Sequence, residues 1–208
     1  MMNPNPLCAS MFLEHFTSKS ISDLNQCDLL ELRLDKETNL DLFSLASLRR
    51  AYPILLSTDI LITLRHVAEG GFFSQSESVR IAFYLRMLNE GARYLDLEFS
   101  AYKNNLNLYS SIPSENLVLS AHLGTATCEQ LTELFNDMST YPAATLKLIF
   151  TATDINCALH VRHILNLAKA NRRATVCHAM GEQGEPSRIL GALWGNAWTY
   201  ISPDNNPT

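Results

Sequence analysis

Lys147 stands in the middle of the run Thr145-Leu146-Lys147-Leu148-Ile149-Phe150, which follows Tyr141-Pro142 and leads into Thr151-Ala152-Thr153-Asp154. Its length and composition read as a strand entering a helix. A period of two puts Leu146, Leu148 and Phe150 on one face and Thr145, Lys147 and Ile149 on the other. A desolvated lysine that gives up its proton can attack a ketone and form an imine, an electron sink for removing a neighbouring proton. A single strand lysine is more often a solvent-facing side chain, but other strand-like runs of this chain repeat the pattern.

They do so with complementary groups. Glu31, Arg33 and Asp35 oppose Leu30, Leu32 and Leu34; Thr63 and Arg65 oppose Ile62 and Leu64; Asp96 and Glu98 oppose Leu95, Leu97 and Phe99. Ser120 and His122 oppose Leu119, and His178 and Met180 are set against Val176 and Cys177. A histidine titrating near neutrality can take a proton and return it to a leaving group. Arginines pair with carboxylates, and Glu31 can accept from hydroxyls. The residues alone point to Schiff-base chemistry on a small polyhydroxylated keto acid. The bland alternative is an antiparallel sheet with its polar face in water. That alternative leaves unexplained the helices between strands and the gathering of Arg33, Arg65, Glu98 and His122 toward strand C-terminal ends.

The elements that must position these groups alternate. Strands are expected at Leu7–Met11, Asp28–Asp35, Ile60–Arg65, Tyr94–Phe99, Leu117–His122, Thr145–Phe150, Thr175–Met180 and Ala197–Tyr200. Helices are expected over Asp41–Ala51, Glu77–Glu90, Thr127–Met138 (Thr127 capping, with Gln130 at the capping-box position), from an Asp154 cap to Ala170, and Ser187–Trp194. Ser100–Pro113, polar and rich in Asn and Tyr, is the weakest helical stretch. The alternation implies a parallel sheet with right-handed crossovers, and eight strands imply an α/β (β/α)8 TIM barrel in one domain over residues 1–208. A doubly wound open sheet fits the same pattern. Only Ile201 to Thr208 follow the eighth strand, too few for an eighth helix, so the barrel is expected to be truncated before it.

A net charge of −5 offers no general attraction for nucleic acid or anionic lipid. No 18-residue apolar run spans a membrane, and Met1-Met2-Asn3-Pro4-Asn5-Pro6 lacks a secretory n-region. Five scattered cysteines without CxxC pairs read as reduced thiols of a cytoplasmic protein. No metal site is expected; His160 and His163 read as surface residues.

Six motifs occur in order: Glu31-Leu-Arg33-Leu-Asp35; Thr63-Leu-Arg65 with Glu69-Gly70-Gly71; Asp96-Leu-Glu98; Ser120-Ala-His122; Lys147; and Met180-Gly181 through Gly184 to Ser187-Arg188. In order and approximate spacing the chain resembles the type I 3-dehydroquinate dehydratases, class I aldolase-like barrels of the shikimate pathway. The resemblance implies that Lys147 forms an imine with the C3 carbonyl of 3-dehydroquinate. It makes His122 the group that removes a C2 proton and protonates the departing C1 hydroxyl, with Glu69 orienting it. It assigns the substrate carboxylate to Arg188, ring hydroxyls and pocket closure to Glu31, Arg33 and Arg65, and a place beside the imine to Met180, with Tyr200 where the family commonly has Phe. No cofactor or metal is implied. The chain departs at Ser120-Ala121-His122-Leu123, where the family usually reads Ser-Tyr-His-Asp. It departs again at His178, where a second Met is frequent and which is read as a tolerated inward side chain. The family's Ser-Ala-Pro-Gly-Gln lid is expected to begin where the sequence stops. The resemblance allows a homodimer and a fused shikimate dehydrogenase domain, although no strand-linked GxGxxG occurs here. Rival readings are another Schiff-base aldolase and a non-catalytic quinate-type sensor.

Overall fold

The computed structural model describes residues 6–16 and 24–201. Leucine-rich and β-branched runs between turn residues form eight strands: β1 (Leu7–Phe12), β2 (Leu29–Arg33), β3 (Asp59–Thr63), β4 (Tyr94–Glu98), β5 (Leu117–Thr125), β6 (Thr145–Thr151), β7 (Thr175–Met180) and β8 (Thr199–Ile201). Every pairing is parallel, in the order β7-β6-β5-β4-β3-β2-β1-β8. A parallel sheet of this order, coiled by strand twist until its end strands meet, is a nearly closed (β/α)8 TIM barrel, as expected and unlike an open sheet. The expected absence of an eighth helix concerns residues 202–208, outside the described residues.

The intervening helices are α1 (Leu45–Ala51), α2 (Glu77–Asn89), α3 (Phe99–Asn104), α4 (Leu106–Tyr109), α5 (Cys128–Ser139), α6 (Cys157–Ala170) and α7 (Glu185–Trp194). Thr127 and Gln130 form the expected capping box on α5. Three helix starts differ from expectation, α7 beginning two residues early at Glu185. The Asp41–Ala51 stretch divides into a 3-10 turn at Leu40–Leu42 and α1, because the Ser44 hydroxyl accepts from Ser47 N–H and starts the helix there. Asp154 accepts from Asn156 N–H at 2.7 Å in a local turn, and α6 begins only at Cys157. The weak Ser100–Pro113 stretch yields two short helices, α3 and α4.

Strand parity divides the core in two. Outward leucines, isoleucines and aromatics pack beneath the helices, while Cys8, Leu29, Leu61, Val118, Val176 and Trp198 plug the barrel. Val176 therefore shares the inward face with His178 and Met180 and does not oppose them, as residues two apart on a strand must. In register around the barrel, Ser10 neighbours Glu31, Thr63 neighbours Asp96, Ser120 neighbours Lys147, and Ile149 neighbours His178. His160, expected on the surface, is half-buried with its ring stacked on Phe150. The five cysteines are free thiols, three of them buried. Among the described residues no helix is long and apolar enough to cross a membrane.

Candidate active site

The C-terminal ends of the strands bring Glu31, Arg33, Arg65, Glu69, His122, Lys147, Met180, Arg188 and Tyr200 around one cavity of about 190 Å³. The volume is below that of pockets for larger ligands and suits a small metabolite. All nine residues singled out in the sequence line it, as do Ser10, Gly70, Ile149 and His178.

At its floor Lys147, 4% exposed, donates from Nζ to Glu31 Oε1 at 3.1 Å and to Asp96 Oδ2 at 2.9 Å. Its Nζ also lies 4.7 Å from the centre of the Tyr200 ring. Thr63 donates to the same Glu31 oxygen at 2.7 Å. The other Asp96 oxygen accepts from Arg65 and from Ser120, each at 2.6 Å. Burial alone would raise both carboxyls; the Lys147 ammonium brings Glu31 below its ordinary value, and Arg65 with Lys147 hold Asp96 far below. Asp96, Ser120 and Ser10 are inward by parity, the signal by which they could have been assigned to the site.

Arg65 is more a hub than an open ligand. Besides Asp96 it donates to Glu98 at 3.0 Å and Ser120 at 2.8 Å, and it lies 3.7 Å from Glu69. Arg33 is likewise engaged, donating to both oxygens of Asp35 at 2.7 and 2.8 Å. Arg188, from the first turn of α7, has no partner at its buried Nε among the described residues.

Glu69 ends the 3-10 turn Val67–Glu69, closed by Gly70 at φ 79°. At Gly71 a Cβ would lie 2.0 Å from Arg65 O, so the chain can turn back here only without a side chain. So placed, Glu69 Oε2 accepts from the backbone N–H of His122 at 2.9 Å and lies 3.4 Å from its ring Nδ1. Burial pushes the Glu69 carboxyl up to about 7 against the pull of Arg65. Burial, then Arg65 and Lys147, hold His122 well below the usual imidazole value, leaving at neutral pH an uncharged ring that can accept a proton.

Fold and site together define a (β/α)8-barrel enzyme centred on an inward lysine, with a neutral imidazole and an unpaired guanidinium edge beside it. Residues 14–206 match the family model described as Type I 3-dehydroquinase. A 3-dehydroquinate dehydratase of Dehalococcoides mccartyi is 33% identical over 205 residues, 97% of this chain and 86% of the relative. One from another strain of that species is 37% identical over 156 residues, 74% and 69% of the two chains. The solved 3-dehydroquinate dehydratase of Enterococcus faecalis superposes with a TM-score of 0.78 at 24% identity, covering 94% of this chain and 88% of that one. The chain belongs to the type I 3-dehydroquinase family.

Proposed function

We propose that this lyase of the shikimate pathway dehydrates 3-dehydroquinate to 3-dehydroshikimate through an imine on Lys147, with His122 as the proton carrier. The single observation that supports the reading most is that Lys147 Nζ, the neutral His122 ring and the partnerless edge of Arg188 open on one small cavity. In this reading Arg188 pairs with the substrate carboxylate, and the Lys147 amine adds to the C3 ketone and expels water to give the imine. The imine draws electrons from C2, whose proton passes to His122, and the resulting enamine expels the C1 hydroxyl as His122 returns that proton to it. Water then hydrolyses the imine, releasing product and free amine, for a net loss of one water. Glu69 holds the imidazole from behind, while Glu31 and Asp96 are the nearest acceptors for the proton that Nζ must shed before attack. Glu31 meets the ring hydroxyls, Arg33 and Arg65, held by their carboxylates, shape and close the pocket, Met180 packs beside the imine, and no cofactor enters the scheme.

Borohydride reduction in the presence of 3-dehydroquinate is expected to leave an adduct that peptide mass spectrometry maps to Lys147. An adduct elsewhere, or turnover with none, removes the imine. We infer the cytoplasm as compartment, the five free thiols being at home in a reducing milieu. A homodimer and a fused shikimate dehydrogenase domain stay proposals of the resemblance, tested by sedimentation and by the length of the expressed polypeptide.

A further inference from the structure

We propose that His178 is a further substrate-binding residue, donating a hydrogen bond from the cavity wall to the substrate carboxylate, on the carbon that loses its hydroxyl. The inference rests on the reaction proposed above, in which Arg188 meets that carboxylate. His178 lies on the inward face of β7, in register with Ile149, and lines the cavity with Lys147 and Arg188. It is 7% exposed, and its ring meets Tyr200 edge-on with centroids 5.8 Å apart. Its ring faces the cavity and makes no hydrogen bond to a described residue, and the buried Nε of Arg188, on the helix after β7, has no partner among the described residues.

A polar group out of water without a partner is costly, and a thioether or leucine would fill the same wall without that cost. A ligand that presents two oxygens at one point would satisfy the orphaned Nε of Arg188 and engage the nearly buried His178 ring that lines the same cavity. Burial, with Arg188 and Lys147 nearby, holds the imidazole down to about 3. His178 thus offers one N–H donor and one acceptor nitrogen without adding charge, whereas Arg188 supplies charge and donors only. A carboxylate matches that pair: one oxygen accepts from Arg188 Nε–H and the other from the single imidazole N–H that faces the cavity.

The test compares His178→Met, which keeps the wall filled, with His178→Gln, which keeps a donor and an acceptor. KM for 3-dehydroquinate should rise about tenfold in His178→Met with kcat within about threefold. His178→Gln should recover part of that loss, and both variants should still trap the borohydride adduct at saturating substrate. A wild-type KM in His178→Met overturns the proposal, and so does a fall in kcat alone, which would make His178 a proton carrier. In the unsubstituted protein, 3-dehydroshikimate should shift the ring 15N resonances of His178; unmoved resonances also overturn it. Loss of the adduct in the unsubstituted enzyme would refute the Lys147 reading, whereas adduct formation with an indifferent His178 would refute only this one.

Discussion

Glu69 and His122 meet through one carboxylate oxygen, and their protonation preferences run in opposite directions with pH. The Glu69 carboxyl, pushed up by burial from 4.5 to about 7, folds more favourably with its proton on. Its contribution is complete below about 4.5 and is lost as pH rises through 7, with an upper bound of about 3 kcal/mol. The depressed His122 has the reverse sign, contributing stability above its unfolded value and losing it as pH falls. Glu69→Gln removes the first effect and leaves the second common to both proteins. Its Tm minus that of wild type is therefore expected to grow from pH 5 to pH 8, and a difference independent of pH would contradict a buried, proton-holding Glu69. At this scale the sequence was legible wherever a strand carried the residue. Parity alone put Lys147, His122, Arg65 and Glu31 on one face, because the period of two is geometric and independent of environment. Glu69 sits on a 3-10 turn with no period to reveal it and entered only through the family resemblance. The commitment of Arg33 to Asp35 depends on which acceptor lies nearest, which pattern does not encode.

The helix α2 shows what an element adds to such a site. Arg80, with no exposed surface, reaches inward from α2 to donate to both oxygens of Glu77, to Tyr109 Oη at 3.1 Å, to Leu64 O at 3.3 Å and to Glu98. Glu98 in turn accepts from Arg65 and from the backbone N–H of His66, the residue that caps the turn carrying Glu69. A guanidinium on an outer helix thus fixes the C-terminal ends of β3 and β4 and, through them, the group behind His122. Removing it leaves the half-buried Glu77 without a cation and Glu98 with Arg65 alone, a loss of about 3 kcal/mol. Arg80→Met should show that loss in urea denaturation and also lower kcat. Arg80→Met combined with Glu77→Gln should cost less than the sum of the two single changes, since they share a network. A loss below about 1 kcal/mol would mean the cluster is incidental. All eight strands were legible as apolar runs between turn residues, because burial on at least one face demands them. Helix starts were less so: Asp154 makes a capping-type hydrogen bond, but it closes a turn ahead of α6, and the two uses of Asp share a sequence signature.

For the molecule as a whole, the alternation of strands and helices left an open sheet as an alternative, and the decision lies at a single seam. No β7–β8 ladder forms among the described residues. In its place the Asn196 amide accepts from Cys177 N–H at 2.8 Å and donates to Cys177 O at 3.2 Å, and Ala197 N–H donates to Thr175 O at 2.9 Å. A side-chain amide thus supplies the donor and acceptor that a neighbouring strand would have supplied. Gly191 makes room for it: a Cβ there would lie 2.4 Å from Asn196 Nδ2. The seam matters to the site because it holds the segment that carries Trp198 into the barrel plug and, on β8, Tyr200 against Lys147. Asn196→Ala strands a buried N–H and C=O and is expected to cost about 1–3 kcal/mol. Asn196→Asp can still accept from Cys177 N–H but cannot donate to Cys177 O, so it should fall between the two. The decisive measurement is hydrogen exchange: the amides of Cys177 and Ala197 should exchange faster in Asn196→Ala, while those at the β3–β4 pairing on the opposite side keep their protection. If Cys177 stays as protected as in the unsubstituted protein, the barrel is closed by something other than this side chain.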